Sequence, residues 1–329
     1  MRALILAGGL GTRLRPLTYS RPKHLLPIAN VPHIDHVLDL LQRHGVHEIV
    51  LLTSYLAEAF EPTVERAAQR GLTVAVAHER EPLGTAGALK NAQQLVGDET
   101  FLAFNGDVLT DVDLSEMVDW HRERNAEATI VLTAVDHPSA YGVVPTEPDG
   151  RVLGFIEKPA PGEAPTNLIN AGVYICEPRL LDRIPAGQVF SAERGLFPAV
   201  VEDRTMYAKG TDAYWMDIGT PANYLQANLD ALAGRYLCSA VTHPDEGMAL
   251  LAPGAELHES ARVFSSCLGS GSRVEAAATV TRAVLLPGAT VGEGATVRDA
   301  VLGERARVAP GVAIEATAIG DNDVVDGEK

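Results

Sequence analysis

The sequence predicts an α/β protein in two parts, a mainly parallel sheet covered by helices on both faces and then a short parallel β-helix. Two observations support this prediction. Up to about residue 233, apolar strand-like runs alternate with helical segments, which is typical of parallel sheets. From Ala252 the chain becomes a Gly-, Ala- and Val-rich repeat of 17 residues, which is typical of hexapeptide β-helices.

The elements of the first part follow from apolar spacing. Short apolar runs predict strands at residues 3–6, 48–53, 73–77, 101–104 and 128–134. Helical spacing predicts helices at residues 32–44, 55–69, 85–95 and 114–124, the first of them bounded by Pro32 and Gly45. Ligands of such sheets bind at the carboxyl ends of the strands, where a glycine-rich loop follows the first strand.

The repeat is visible when residues 252–319 are written in four lines of 17. Three columns are apolar in every line, with Gly, Ala and Ser filling much of the space between them. The columns are Leu257, Val274, Val291 and Val308; Val263, Val280, Val297 and Ile314; and Leu268, Leu285, Leu302 and Ile319. We therefore expect a domain at 1–233, a linker at 234–251, the β-helix at 252–320 and a frayed acidic tail at 321–329.

Charge and cysteine content narrow the functional classes. A net charge of −16 disfavours nucleic acid and anionic membranes as partners. Cys176, Cys238 and Cys267 are scattered and lack metal-ligand spacing, so we expect a reduced, cytoplasmic protein. The N-terminal apolar run breaks at Gly8, too early for a secretory signal, and no apolar stretch approaches the roughly 20 residues of a membrane span.

The first glycine-rich loop is the strongest candidate for a binding site. Residues 2–24 hold four arginines and one lysine but no acidic residue, and Gly8, Gly9 and Gly11 permit close backbone approach to a ligand. Leu14 stands where a dinucleotide fingerprint needs its third glycine, and the Gly-Lys-Ser/Thr of a Walker loop is absent. Joined to Arg13 and Lys23, the loop indicates phosphate held by amides and two cations.

This stretch, Gly-Gly-Leu-Gly-Thr-Arg-Leu-Arg-Pro-Leu-Thr from Gly8 followed by Arg-Pro-Lys at 21–23, resembles the consensus of sugar-1-phosphate nucleotidyltransferases. The resemblance covers residues 1 to about 233, and a left-handed hexapeptide β-helix also occurs as an appendage in that family. It implies a Rossmann-like nucleotidyltransferase fold. It also implies a reaction in which a nucleoside triphosphate and a sugar 1-phosphate give a nucleoside-diphosphate sugar and pyrophosphate, with Mg²⁺ as cofactor.

The resemblance also assigns roles to residues. Arg13 and Lys23 become catalytic cations. Asp107, in Asn-Gly-Asp after an apolar strand, and Asp217, in Tyr-Trp-Met-Asp-Ile-Gly-Thr-Pro, become the Mg²⁺ ligands. Taken alone, Asp107 is more typical of a turn and Asp217 of a helix N-cap near Pro221.

Two further sets follow from matching motifs. The loop Glu-Pro-Leu-Gly-Thr-Ala-Gly from Glu81 resembles a base-recognition loop, in which Thr85 could also cap a helix. The sugar-phosphate side would be Gly142, Glu157 for sugar hydroxyls, Lys158 for the phosphate, and Asn170. The implied nucleotide-binding residues are Leu6, Ala7, Gly8, Gly9, Gly11, Thr12, Glu79, Pro82, Gly84 and Thr85.

The motifs are most similar to the mannose-1-phosphate guanylyltransferase branch, with glucose-1-phosphate thymidylyltransferases of the long form as the alternative. A catalytically silent regulatory or assembly subunit is a further alternative, which the intact cations and carboxylates disfavour. An acyltransferase role for the β-helix is disfavoured because His258 is the one histidine in its four coils. We expect instead that the β-helix packs and forms a homo-oligomer.

Three residues outside these sets receive structural interpretations. His33 and His36 have helical i,i+3 spacing, and we expect them on a solvated helix face. Trp215, close to Asp217, is expected to pack rather than to stack on a ligand.

Overall fold

The computed structural model describes residues 1–327. The chain packs as two compact units, the first formed by residues 1–9 and 37–215 and the second by residues 10–36 and from 216 onward. This division differs from the boundary expected at residue 233, because residues 10–36 pack with the β-helix part of the chain.

The strands and helices predicted up to residue 134 are present, with bounds that agree within a few residues once the 3₁₀ turn at 57–60 is counted, but four strands between residues 128 and 176 follow one another without an α-helix. The strands are β1 (Arg2–Leu6), β2 (Pro27–Ile28), β3 (Val31–Pro32), β4 (Glu48–Thr53), β5 (Thr73–His78), β6 (Phe101–Asn105), β7 (Val108–Thr110), β8 (Ala128–Ala134), β9 (Gly142–Val143), β10 (Ile156–Glu157), β11 (Leu168–Cys176), β12 (Met206–Thr211) and β13 (Trp215–Asp217). The α-helices are α1 (His33–Arg43), α2 (Glu61–Gln69), α3 (Gly84–Asn91), α4 (Gln93–Val96), α5 (Leu114–Glu123), α6 (Phe197–Glu202) and α7 (Pro221–Leu232). Short 3₁₀ turns include Thr12–Leu14, Lys23–Leu25 and Ala57–Phe60.

A nine-stranded mixed sheet forms the centre of the first unit. Its main strand order is β12-β8-β11-β6-β1-β4-β5, with β9 and β10 added beside β11. Strands β6, β1, β4 and β5 are mutually parallel, and β11 runs antiparallel to both β6 and β8. The central strands carry near-continuous apolar runs because helices cover both faces of such a sheet. Fully buried side chains include Leu4, Phe101, Phe104, Ile130 and Phe197.

The second unit contains the β-helix. Its strands are β14 (Ala249–Leu251), β15 (Glu256–Leu257), β16 (Arg262–Phe264), β17 (Ser266–Leu268), β18 (Arg273–Val274), β19 (Thr279–Leu285), β20 (Thr290–Val291), β21 (Thr296–Leu302), β22 (Arg307–Val308), β23 (Ala313–Glu315), β24 (Ala318–Ile319) and β25 (Val324–Val325). All of their recorded pairings are parallel.

The strand register confirms the 17-residue repeat. Val263 pairs with Val280, Val280 with Val297, and Val297 with Ile314. One corner of the coil recurs at the same spacing, with φ between 46° and 51°, at Ser265, Arg282, Asp299 and Ala316. The apolar columns therefore stack on one another as the internal core of the coils, apart from Leu257 of the first coil, which is 40% exposed.

The β-helix extends further at both ends than the sequence predicts. Strand β14, inside the expected linker, pairs with β17, and β25 pairs with β22. Asp321 accepts a hydrogen bond from the backbone N–H of Glu304 at 2.7 Å, which ties the supposed tail to the preceding coil. Residues 321–325 thus continue the coils, and residues 328–329 of the expected tail lie outside the described residues.

His33 and His36 do not lie on a solvated face, and that expectation was wrong. Both side chains are buried, and Nε2 of His36 lies 3.0 Å from the carbonyl oxygen of Ile28. The ring of His36 also meets Tyr236 edge-on at 5.7 Å between centroids. The β2–β3 hairpin and the chain around Tyr236 cover this end of α1, which periodicity within the helix does not reveal. No helix among residues 1–327 has both the length and the apolar character needed to cross a membrane.

Candidate active site

The carboxyl ends of four parallel strands meet at one edge of the sheet in the first unit. Leu6, the last residue of β1, pairs with Leu52 on one side and with Asn105 on the other, and Thr53 pairs with His78. The chain therefore leaves the sheet side by side at Ala7, Ser54, Glu79 and Gly106. This is the edge at which open α/β sheets bind ligands.

The turn after β1 approaches β4 closely. The hydroxyl of Ser54 donates to the carbonyl of Gly8 at 2.6 Å, and a Cβ placed on Gly8 would lie 2.8 Å from that hydroxyl oxygen. The amide of Ala7 donates to Leu52, and the carbonyl of Leu6 accepts from Gly106. These bonds fix the start of the predicted phosphate loop, and they place Leu6 and Ala7 in the sheet framework beneath it.

Glu79 is the most unusual acidic residue at this edge. Its side chain is only 7% exposed, and burial raises the pKa of its carboxyl above the ordinary value. One oxygen, Oε2, accepts from the amide of Leu83 at 3.3 Å. The other, Oε1, is buried and has no hydrogen-bond partner among residues 1–327. A buried acceptor without a partner is costly unless a ligand supplies a donor.

The predicted base-recognition loop connects Glu79 to the start of α3. Gly84 has φ +75°, and a Cβ there would lie 2.9 Å from the carbonyl oxygen of Phe190, so the position requires glycine. Thr85 does not cap the helix as we expected. Its hydroxyl instead donates to Glu193 and accepts from the amide of Ala192. The loop is thus held by residues 190–193, while Pro82 at its tip is exposed.

The predicted sugar side has a fixed part and an exposed part. Asn170 is held, since its Oδ1 accepts from the amide of Gly172 at 2.8 Å and its Nδ2 donates to Tyr174 at 2.7 Å. Gly142 faces the carboxylate of Glu157 across β9 and β10, because a Cβ there would lie 3.1 Å from Oε2.

Lys158 leaves the strand with φ +49°, and its ammonium lies 3.9 Å from Glu157. Both side chains are exposed, at 66% and 38%, so they are accessible to a ligand. Trp215 packs as expected: its indole N–H donates to the carbonyl of Ala171 at 2.9 Å, and its ring meets Tyr141 edge-on.

Five of the predicted residues belong to the second unit, namely Gly11, Thr12, Arg13, Lys23 and Asp217. Gly11 adopts φ +61°, and its carbonyl accepts from the hydroxyl of Thr18 at 2.8 Å, which closes the loop on itself. A Cβ on Gly11 would lie 3.4 Å from Cβ of Lys23, so loop and lysine are neighbours. Thr12 and Arg13 are exposed in the intervening 3₁₀ turn.

Arg13 and Asp217 form the charged centre of the second unit. The guanidinium Nη2 of Arg13 lies 3.8 Å from Oδ2 of Asp217, whose side chain is 16% exposed. The other carboxylate oxygen accepts from the amide of Gly219 at 2.6 Å. Asp217 is not the N-cap of α7. Thr220 takes that role by accepting from the amide of Asn223 at 3.2 Å.

The carboxylates suit a divalent cation by chemistry, because such hard ions take oxygen ligands. Among residues 1–327 no group of three or more His, Cys, Asp or Glu side chains is arranged to hold a metal. Asp107 lies in the first unit, with Gly8 and Glu79, whereas Asp217 lies in the second, with Arg13 and Lys23.

Sequence reasoning missed three residues that shape these groups: Ser54, Thr18 and Gly219. Ser54 is recognisable only once the strands are placed, since it bonds the carbonyl of Gly8 46 residues away, and Thr18 only once the loop is folded back onto Gly11. Thr18 and Gly219 both stand in runs quoted above, but no role was assigned to either of them. Gly219 must be a glycine because Arg13 lies where a side chain at this position would be, and the sequence does not show the position of Arg13.

Comparison with known proteins finds two families along the chain. The sequence profile of the nucleotidyl transferase family matches residues 2–234, and that of the GlmU-like C-terminal hexapeptide family matches residues 246–326. The second match identifies the parallel coils as a hexapeptide β-helix of the left-handed type.

Several relatives bear the name mannose-1-phosphate guanylyltransferase. The protein of that name from Mycobacterium tuberculosis is 40% identical over 70% of this chain and 65% of its own length. The catalytic subunit beta from Drosophila pseudoobscura pseudoobscura is 41% identical over 80% of this chain and 72% of its own length. The chain thus spans slightly less than two thirds of the mycobacterial relative.

Solved structures show the same fold. HddC from Yersinia pseudotuberculosis, complexed with GMP-PN, superposes with a TM-score of 0.60 at 31% identity, over 69% of this chain and 97% of that one. A putative glucose-1-phosphate thymidylyltransferase from Bacillus anthracis matches with a TM-score of 0.62 at 23% identity, over 69% of this chain and 94% of that one. Proteins of this family act on a nucleotide and a sugar phosphate and generally use a divalent metal ion. The glycine loop, the aligned strand ends and the profile match over residues 2–234 together identify the chain as a member of the nucleotidyl transferase family.

Proposed function

We propose that this chain transfers GMP from GTP to mannose 1-phosphate, forming GDP-mannose and releasing pyrophosphate. The relatives named as mannose-1-phosphate guanylyltransferases, at 40–43% identity, support both substrates. The observation that carries the choice of base is Glu79, whose buried oxygen Oε1 has no partner among the described residues.

Guanine matches this carboxylate because its N1–H and its 2-amino group are adjacent donors. Adenine presents an acceptor at N1, and thymine and uracil have a single N–H donor in the ring. A carboxylate that accepts two adjacent hydrogen bonds therefore favours guanine over bases that present one donor beside acceptors. Glu79 is held at one oxygen by the amide of Leu83, so its orientation is set before the base arrives.

The transfer is an in-line displacement at the α-phosphorus, in which the sugar-phosphate oxygen attacks directly and no protein nucleophile is required. We assign Lys158 to the sugar phosphate, Lys23 to the region between the two substrates' phosphates, and Arg13 to the departing pyrophosphate. Each cation then offsets negative charge where it develops, which is the largest contribution a protein makes to such a reaction. Asp107 and Asp217 remain the proposed ligands of Mg²⁺, which when bound supplies further charge neutralisation to the phosphate oxygens.

A substrate matrix tests the proposal. Five nucleoside triphosphates are combined with several sugar 1-phosphates, and pyrophosphate release is measured for each pair. We expect GTP with mannose 1-phosphate to give the highest kcat/KM. Preference for dTTP and glucose 1-phosphate would refute the assignment of base and sugar, and no release with any pair would refute the enzymatic function.

We also propose that the protein works in the cytoplasm as a homo-oligomer that associates partly through the β-helix. The three cysteines are buried and none forms a disulfide among the described residues, which suits a reducing compartment. Light scattering of the purified protein tests the association, and a monomeric mass at micromolar concentration would refute it.

A further inference from the structure

The segment that carries Arg13 and Lys23 is fastened to the β-helix by a charged cluster. Nη2 of Arg21 donates to Oε2 of Glu304 at 2.6 Å and to Oδ2 of Asp321 at 2.7 Å. The hydroxyl of Ser20 also donates to Oδ2 of Asp321. Arg21 lies two residues before Lys23, so this contact is made close to a proposed catalytic cation.

The cluster is well enclosed for a surface ion pair. The side chain of Arg21 is 18% exposed and that of Asp321 is 12% exposed. Burial alone would raise the pKa of Asp321, but hydrogen bonds from Ser20, the amide of Glu304 and Arg21 hold that pKa below its ordinary value. Charged groups this enclosed depend on their partners, because removing one leaves the other desolvated and unpaired.

The acidic half of the cluster is part of the repeat. Glu304 and Asp321 are 17 residues apart and occupy equivalent places on successive coils, and the amide of Glu304 donates to Oδ1 of Asp321 at 2.7 Å. The position of Asp321 is therefore fixed by the coils, and the coils in turn fix Arg21.

Other contacts hold the far end of the same segment. Nδ2 of Asn30 donates to the carbonyls of Leu250 and Leu268, at 3.3 and 3.2 Å, on neighbouring strands of the β-helix. The amide of Ala29 donates to the side chain of Asn228 in α7 at 2.9 Å. Residues 10–36 are thus held near their middle by the charged cluster, two residues from Lys23, and toward their far end by Ala29 and Asn30.

We propose that Arg21 is a positioning residue, which holds the segment bearing Arg13 and Lys23 against Glu304 and Asp321 so that nucleotidyl transfer depends on the last coils of the β-helix. The inference rests on the proposed function where it concerns catalysis. The attachment of the segment to the β-helix does not depend on the proposed function and can be measured without any reaction. Because misplacement of a catalytic group by about 1 Å can cost about 100-fold in rate, a loosened segment should lower kcat.

Four variants of the full-length protein test the proposal: Arg21→Met, Asp321→Asn, the double variant, and Arg21→Lys. The change Asp321→Asn preserves the shape of the side chain and removes only the charge, so it remains informative if Arg21→Met folds poorly. Arg273→Met is the matched control, because Arg273 pairs with Glu256 on the β-helix at 3.0 Å, and its recorded contacts do not include residues 10–36.

The first readout is backbone hydrogen exchange of residues 10–23, which requires no activity. We expect Arg21→Met and Asp321→Asn to raise exchange there by about tenfold, the double variant to add nothing further, and Arg273→Met to leave it unchanged. Unchanged exchange in both single variants overturns the fastening, even if the wild-type protein catalyses no transfer.

The second readout is steady-state kinetics with the preferred substrates. We expect both single variants to lower kcat by about 10- to 100-fold, with KM for the sugar phosphate changed by less than about threefold, and Arg21→Lys to restore part of the rate. A normal kcat in Asp321→Asn beside a low kcat in Arg21→Met would overturn the proposal, because Arg21 would then act on the substrate directly. Additive losses in the double variant would overturn it as well.

Discussion

Gly219 provides the sharpest test of the charged centre, because its missing side chain leaves room for two other groups. A Cβ at this position would lie 2.6 Å from Oδ1 of Asp217 and 2.7 Å from Nη2 of Arg13, whereas ordinary contact begins at 3.4 Å. In Gly219→Ala both polar groups must therefore retreat by about 0.7–0.8 Å. The backbone of Gly219 is not in the left-handed region, so alanine is permitted there on backbone grounds.

We expect Gly219→Ala to lower kcat by about 10- to 100-fold, since a displacement approaching 1 Å of catalytic groups costs up to about 100-fold. The thermal midpoint should change little, because the displaced groups are at the ends of side chains. Gly210→Ala is the matched control: no atom lies within 4 Å of a Cβ placed there. Pyrophosphate release under saturating substrates measures the effect. Wild-type kcat in Gly219→Ala, or an equal loss in Gly210→Ala, would refute the role given to this centre.

Three further predictions address the other groups. Burial raises the pKa of Glu79, so its ionisation lowers the stability of the folded protein above that pKa. Glu79→Gln should therefore raise the thermal midpoint at pH 7.5 and lower the preference for GTP by about 10- to 100-fold. A lower midpoint or an unchanged preference for GTP would contradict this prediction. Asp107→Ala should lower kcat by about 100- to 1,000-fold, and a chelator should abolish wild-type turnover until Mg²⁺ is restored; turnover unaffected by either change refutes the metal assignment. Burial lowers the pKa of His121, so on acidification the histidine is protonated in the unfolded chain, near pH 6.5, before it is protonated in the folded protein. The free energy of unfolding from urea titrations should therefore decrease below that pH. The decrease should be smaller in His121→Gln.

The repeat could be predicted from sequence because it is local and periodic. Each apolar column is filled at every 17th residue, and the coils place those residues in direct register, as Val280 and Val297 show. The strands of the sheet were predictable for a similar reason, since a short uninterrupted apolar run such as that of residues 101–104 is typical of a strand buried on both faces.

What sequence could not provide were partnerships over long separations. Arg21 meets acids 283 and 300 residues away, and no local pattern at Arg21 distinguishes it from a solvated cation. His36 was misjudged for the same reason, because the residues that bury it, such as Tyr236, lie far along the chain. The unpaired oxygen of Glu79 likewise depends on the packing around it, which spacing does not encode.

Because one repeat of 17 residues forms one coil, the length of the β-helix can change only by whole coils. Neighbouring coils are separated by about 4.8 Å, the spacing of paired strands, whereas the bonds from Arg21 span 2.6 and 2.7 Å. Loss of one coil would leave Arg21 with at most one of its two carboxylates, although the remaining coils would still stack. The number of coils before Asp321 therefore sets whether Glu304 and Asp321 both reach Arg21. Coils can be added or lost after Asp321 without changing this contact, whereas a change in the number of coils before Asp321 disrupts it.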